Sequence, residues 1–217
     1  MDVKKAVVVL SGGMDSTTLL YKVKKEGFQV TALSFDYGQK HVKELEVAKQ
    51  TCIELDISHE IINLAGIKQV MKNSALTDNI EVPEGHYNDE NMKSTVVPNR
   101  NMIMVSIAIA EAVSIEAEAV YLGVHGGDHA IYPDCRKEFI EKLNEVSKIA
   151  NYHPVEIRAP YLEYDKGDIA IEGKELGVDY SLTWTCYKGE EKPCGKCGSC
   201  VERAEAFEKA GMIDTIL

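Results

Sequence analysis

Residues 5–11 carry an unbroken apolar run from Ala6 to Leu10, the pattern of a strand buried on both faces of a parallel sheet. The run turns at Gly12 and Gly13 and gives way to residues 15–25, where Leu19, Leu20 and Val23 recur at helical spacing. Residues 28–35 read as a second strand. Residues 39–55 read as a long helix with Val42, Leu45, Ala48 and Cys52 on one face, and residues 60–64 as a third strand. This alternation predicts an α/β fold with a doubly wound parallel sheet of nucleotide-binding character.

The rhythm breaks over residues 73–98, a polar stretch with Pro83, Gly85 and Pro98 and no period. A loop this long inside a compact domain is functional or mobile, a lid for example, or else a disordered surface insertion. Residues 101–115 carry apolar side chains almost all round (Met102, Ile103, Met104, Val105, Ile107, Ile109), which predicts a buried helix with core methionines. A strand over 119–124, a helix over 136–150 and a last strand over 155–159 follow. A helix over 165–176 has Asp165 as N-cap, Asp168 in capping-box position and Gly177 as its stop.

The 217 residues suit one domain with a small appendage, divided here as 1–180 and 181–217. Hydrophobic residues make up 45% of the chain, enough for a sizeable core. The net charge is -11 and no Lys/Arg run exceeds Lys24-Lys25, which disfavours a nucleic-acid partner. No run of about 18 apolar residues suggests a membrane span. Residues 1–5 lead straight into a strand with no small-residue cleavage site, so a cytoplasmic protein is expected. Its six cysteines are then thiols or metal ligands.

The turn Ser11-Gly12-Gly13-Met14-Asp15-Ser16 lacks a Walker lysine and the G-x-G-x-x-G spacing. It still has the physics of an anion site. Two glycines let successive N–H groups turn inward, and the next helix aims its N-terminus at the same point. Ser11, Ser16 and Thr17 add hydroxyls. Asp15 fits a helix cap, or a partner for a magnesium ion carried by phosphates; a plain strand-to-helix turn remains the alternative. The hexapeptide resembles the S-G-G-x-D-S loop of the N-type ATP pyrophosphatases. That resemblance implies an adenine nucleotide alpha-hydrolase-like (Rossmann-like) sheet and adenylation of a substrate. It also implies that Leu10, Ser11, Gly12, Gly13, Met14, Asp15, Ser16 and Thr17 hold ATP, whose pyrophosphate departs.

Cys186, Cys194, Cys197 and Cys200 lie within one short segment. Close thiolates need a neutralising cation, and four of them fill a tetrahedral zinc site, which would be structural. Disulfides and an iron–sulfur cluster are the alternatives. Cys52 reads as a small core residue; Cys135 also lies outside the set.

Together with these motifs, several stretches are similar to the 7-cyano-7-deazaguanine synthase family. They are Asp36-Tyr37-Gly38-Gln39 with His41 and Glu44, Val97-Pro98 with Arg100-Asn101, Gly123 to Asp128, Tyr132-Pro133-Asp134-Cys135-Arg136 with Phe139, and Thr183-Trp184-Thr185 before the cysteines. One departure is His125-Gly126-Gly127, where an asparagine is expected. The resemblance implies ATP-dependent conversion of 7-carboxy-7-deazaguanine and ammonium to a nitrile in queuosine biosynthesis, and a homodimer. Free ammonium is expected because no glutaminase region is evident.

Asp15, Ser16 and Arg100 are the expected catalytic residues, with Arg100, Asp128, Tyr132 and Asp134 on the substrate. Arg100 suits a phosphate or carboxylate, or a helix-side acid. Asp128 or Asp134 could accept from a guanine-like edge, and Tyr132, Phe139 or Trp184 could stack on the ring. Competing readings make Asp134 a cap for the helix at Arg136, Trp184 a lid over the metal segment, His41 and Glu44 a solvated helix face, and Lys166 a surface lysine. The carbonyls near Ser34 and Phe35 are the expected adenine position. Two rival functions are adenylation of another substrate such as tRNA, and a nucleotide-sensing module without turnover.

Overall fold

The computed structural model describes residues 3–87 and 90–217. Asn88 and Asp89 of the 73–98 stretch, and Met1 and Asp2 of the N-terminal reading, lie outside the described residues. The strands are β1 (Lys5–Val9), β2 (Gln29–Asp36), β3 (Ser58–Asn63), β4 (Ala119–Tyr121) and β5 (Glu156–Arg158). They form one five-stranded parallel sheet in the order β3-β2-β1-β4-β5. The helices are α1 (Met14–Lys25), α2 (Lys43–Glu54), α3 (Arg100–Ser114), α4 (Lys137–Ala150), α5 (Lys166–Leu176) and α6 (Gly198–Lys209).

The continuous apolar run of β1 explains the layering. Ala6 and Val8 face a core shared with Leu19, Leu20 and Val23 of α1, Ala48 and Cys52 of α2 and Ile169 of α5. Val7 faces the opposite core, with Val105 and Ala108 of α3 and Ile140 and Leu143 of α4. Burial pushes the Cys52 thiol up to about 12, so it is an inert core group. The chain order reverses between β1 and β4, which opens a crevice at their carboxyl ends.

Three differences from the sequence reading have local causes. Helix α2 starts at Lys43, not at Gln39, because the Gln39 side chain ties the preceding turn together: its Oε1 accepts from the Tyr37 N–H and its Nε2 donates to Phe35 O. Strand β4 stops at Tyr121 because Gly123 must approach α1; a Cβ there would lie 3.1 Å from the Ser16 Cα. Helix α3 is not buried all round, since Met102 is 38% exposed and Ser106 and Ala110 on the same side also face outward. The capping box at Asp165 and the left-handed Gly177 are as read from the sequence.

The 73–98 stretch is packed down. Ala75, Leu76, Val82, Met92 and Val97 are buried. It is tied to the cysteine segment by a bridge between Glu84 and Cys197 and a bond from Gly85 N to Lys196 O. The last segment lies against the sheet domain through Trp184 N, which donates to Gly12 O, and through fully buried Arg203, which binds Asp214, Thr183 Oγ1 and Tyr180 O.

Candidate active site

The crevice between β1 and β4 is a cleft lined by Leu10, Ser11, Gly13, Met14, Asp15 and Ser16 of the glycine turn. At Gly12 φ is +81° and a Cβ would lie 2.1 Å from the Glu44 carbonyl oxygen, so only glycine lets the turn approach α2. The turn is braced internally. Ser11 N–H donates to Ser16 Oγ, the two hydroxyls lie 3.0 Å apart, and Gly13 N–H reaches Ser11 Oγ. The first intrahelical bond runs from Thr17 N to Gly13 O. The N–H groups of Met14, Asp15 and Ser16 therefore head α1 with no carbonyl of a preceding turn to accept them, which is the geometry of an anion cradle. Gly12 and buried Thr17 support the turn from outside the lining.

Asp15 sits in a charged floor. Its Oδ2 is 3.4 Å from Lys166 Nζ, and Lys166 also contacts Glu202 Oε2. His125 is 1% exposed. Its Nδ1 accepts from Gly127 N–H, and its Nε2 faces Asp128 at 3.6 Å and Asp15 and Glu202 at 3.9 Å. Burial opposes the charge on Lys166, but Asp15, Glu202 and Asp128 outweigh it and raise its pKa. Burial raises Glu202 even beside Lys166 and His125. Lys166 is thus not a surface lysine: the N-cap at Asp165 starts α5 with this side chain turned into the cleft.

Arg100 opens α3 on the opposite wall. It lies within electrostatic reach of Tyr37, Cys135, Asp134 and Tyr187. Burial opposes its charge, yet these neighbours raise its pKa. No carboxylate forms an ion pair with it among the described residues, so the cleft offers a half-buried guanidinium that lacks an anion. Tyr132 also lines the cleft, its hydroxyl 2.7 Å from Thr95 Oγ1. Asp134 lies outside the lining; its Oδ2 accepts from Asn101 N–H at 3.1 Å and so caps α3, not the helix after Arg136. Phe139 packs in the core beneath, and Trp184 is buried over the cysteines while also lining the cleft. Phe35 lines the cleft, whereas the Ser34 hydroxyl turns away to donate to Leu10 O.

His41 and Glu44 are buried and line the same cleft, so the solvated-face reading does not hold. His125, Lys166 and Glu202 form the floor only because three distant segments converge. A buried turn at His125, a capping box pinning Lys166 and a glutamate on the inner face of α6 were the available signals.

The sulfur atoms of Cys186, Cys194, Cys197 and Cys200 all lie within 4.8 Å of one another. Cys194 to Cys200 is 4.0 Å and Cys197 to Cys200 is 3.5 Å, near the spacing about a tetrahedral metal with bonds of about 2.3 Å. Backbone N–H groups of Cys194, Lys196 and Cys197 point at the sulfurs, as expected for thiolates held for a cation. Gly195, at φ +67°, turns the chain between ligands. Thr185, Tyr187 and Ser199 of this segment line the cleft, so the cysteine cluster supports one of its walls.

Solved structures with the same fold include a 4-thiouridine synthetase–RNA complex with bound ATP. Its TM-score is 0.57 at 21% identity, covering 96% of this chain and 50% of that one. Another is the NMN synthetase from Francisella tularensis, with a TM-score of 0.53 at 14% identity, covering 98% and 79%. Among curated relatives, 7-cyano-7-deazaguanine synthase 1 of Colwellia psychrerythraea is 61% identical over 98% of both chains. The 7-cyano-7-deazaguanine synthase of Hahella chejuensis is 61% identical over 98% of this chain and 92% of its own. The family described as queuosine biosynthesis protein QueC matches residues 5–211. With its family model matched over residues 5–211 and curated relatives 61% identical over nearly the whole chain, the chain belongs to the QueC family.

Proposed function

We propose that this protein is a carbon–nitrogen ligase that converts 7-carboxy-7-deazaguanine and ammonium to 7-cyano-7-deazaguanine at the expense of ATP. The observation that carries this reading is the pairing, in one cleft, of the open first turn of α1 with the unpaired guanidinium of Arg100. One end suits departing pyrophosphate and the other a substrate anion.

Acid plus ammonia to nitrile loses two waters, and neither oxygen leaves unaided. Each is activated by adenylation, first as the carboxylate and then as the amide, with AMP released. The N–H groups of Met14, Asp15 and Ser16 and the Ser11 and Ser16 hydroxyls hold the leaving pyrophosphate, with Leu10, Gly12, Gly13 and Thr17 forming and backing the turn. Lys166 adds a positive charge beneath it. Arg100 orients the carboxylate, Tyr132 lies against the ring, and Asp128 accepts from the guanine-like edge. Asp134 acts through α3 as a positioning residue for Arg100.

Magnesium bound with ATP would supply charge neutralisation, and the buried Asp15 Oδ1, which has no hydrogen-bond partner among the described residues, fits such a cation. Zinc is the metal that suits four thiolates, in a structural role. The rest of this reading is an ATP-binding part (1–180), a cysteine segment (181–217), a homodimer, a cytoplasmic location and no nucleic-acid or membrane partner. No helix among the described residues is long and apolar enough to cross a membrane.

The test is to mix protein, Mg-ATP, ammonium and 7-carboxy-7-deazaguanine and read the products by mass spectrometry. Nitrile and AMP are expected, and both should form far more slowly from the carboxy substrate in Ser16→Ala and Arg100→Ala. Neither amide nor nitrile from metal-loaded wild type would overturn the assignment. Light scattering reads the oligomeric state.

A further inference from the structure

We propose that His41 and Glu44 form the ammonium site, and that His41 Nδ1 takes the proton whose loss turns ammonium into the ammonia nucleophile. The inference rests on the ligase reading above. Ammonium has four donors and no lone pair. An enzyme that uses it must hold it with acceptors and then remove a proton.

His41 is 4% exposed and Glu44 is 9% exposed, and both line the cleft. His41 Nε2 lies 3.2 Å from Glu44 Oε2. A carboxylate only accepts, so Nε2 carries the hydrogen and Nδ1 keeps a lone pair. That Nδ1 is buried and has no hydrogen-bond partner among the described residues. Glu44 Oε1 is fixed by Gln39 Nε2 at 3.0 Å, and Gln39 is itself tied to Phe35 O and Tyr37 N. The dyad is therefore clamped, with one basic nitrogen left over. A purely structural pair would have no reason to strand a buried acceptor.

The position suits the reaction. The Glu44 carbonyl packs on Gly12 of the phosphate turn. The His41 ring centroid lies 5.6 Å from that of Tyr187, which in turn neighbours Arg100. The dyad thus sits between the two ends of the cleft, where an acyl group held by Arg100 would meet the adenylate. The ionisable groups around His41 are Glu44 on its own turn, Tyr187 from the cysteine segment, and Tyr37 and Arg100 behind them. Lys40 and Lys43 are engaged elsewhere, with Ile80 O and the Trp184 ring.

In the step, one N–H bond of ammonium breaks and its proton passes to His41 Nδ1, leaving the electron pair on nitrogen. The imidazolium is stabilised by Glu44. Ammonia attacks the acyl carbon, the C–N bond forms, the C–O bond to AMP breaks with its electron pair, and the nitrogen releases a second proton to solvent. Acyl adenylate and ammonium thus give amide, AMP and two protons. The later conversion of amide to nitrile consumes no ammonium and does not need the dyad.

The test compares two reactions of the full, metal-loaded protein: acid plus ammonium to amide, and amide plus ATP to nitrile. For His41→Asn, the first is expected to fall at least tenfold more than the second, as general-base loss costs about 10²-fold or more. The first should also recover toward wild type at alkaline pH, where free ammonia is abundant. Glu44→Gln, which keeps the shape of the pair, should give the same split to a lesser degree. Equal losses in both reactions, or no alkaline recovery in either variant, would overturn the ammonium site. Wild type that makes neither product would instead overturn the ligase reading.

Discussion

The two ends of the cleft solve the burial of charge in opposite ways. Beneath the phosphate turn, cations and carboxylates meet: Lys166 touches Asp15 and Glu202, and His125 sits among Asp15, Asp128 and Glu202. At the start of α3, Arg100 feels the phenols of Tyr37 and Tyr187, the Cys135 thiol and Asp134, and forms no ion pair among the described residues. The first end is compensated in part by the protein itself, with Asp15 Oδ1 still without a hydrogen-bond partner among the described residues. The second would be completed by the substrate anion proposed above. Burial alone therefore does not mark a binding group; burial without a counter-charge does.

The largest expected effect removes the wall both ends share. Chelation, or Cys197→Ser, would deprive the cysteine segment of the cation proposed for it, and metal binding at such sites is folding free energy of about 10 kcal/mol or more. Tyr187, Ser199 and Thr185 should lose their places, so ATP and substrate binding should fail together. Circular dichroism should report an intact α/β domain. Retention of either binding after chelation would show that the walls stand independently.

Next in size is Lys166→Met. It leaves Glu202 and Asp15 without their cation, a loss of about 3–5 kcal/mol for a broken buried pair, read by urea unfolding. Adding Glu202→Leu should return part of that stability, since the burial cost of the carboxylate is removed with it. No recovery in the double variant would mean that the floor is held by packing and not by charge.

Arg100→Ala should cost less stability and more binding. Loss of a charge-assisted contact is worth about 2–4 kcal/mol, so kcat/KM for the carboxy substrate should fall about 10²-fold or more. The amide substrate, which carries no carboxylate, should suffer less. Arg100→Lys should restore only part, because a point charge replaces a fork. Equal losses for acid and amide would place Arg100 on ATP instead.

The sequence made one kind of feature legible and hid another. The phosphate turn and the cysteine set are local: each is a short run whose residue types and spacing carry the chemistry by themselves. The sheet was legible because continuous apolar strands alternate with helical spacing. Lys166, His125 and Glu202 were not legible as a group, because α5, the turn after β4 and α6 meet only in the folded chain. His41 and Glu44 resembled a solvated face since helical spacing is silent on what covers it. The packed 73–98 stretch, whose Leu76 O accepts from Lys40 N, and the segment around Tyr187 bury that turn. The reading of Asp134 as a cap for the helix after Arg136 failed for the same reason: a cap can come from another segment, and here it closes α3.

The smallest effect concerns the sign of the floor's pH response. Burial raises the pKa of Glu202 against the opposing pull of Lys166 and His125. A carboxyl whose folded pKa is raised favours the native state below its unfolded value, and that contribution fades as pH rises through the folded value. Wild type should therefore lose some stability between the ordinary carboxylate range and the raised value, and Glu202→Gln, which cannot ionise, should lose less over the same rise. Lys166 carries the opposite-charge counterpart: its raised pKa keeps it protonated throughout that window, so it contributes no slope of its own there. Melting temperatures of the two proteins across the window decide the matter. A wild type that gains stability relative to Glu202→Gln as the carboxylate ionises would mean that the ion pair with Lys166 outweighs burial. The contrast with the Arg100 end would then be sharper still, since the floor would be not merely compensated but held together by its charges.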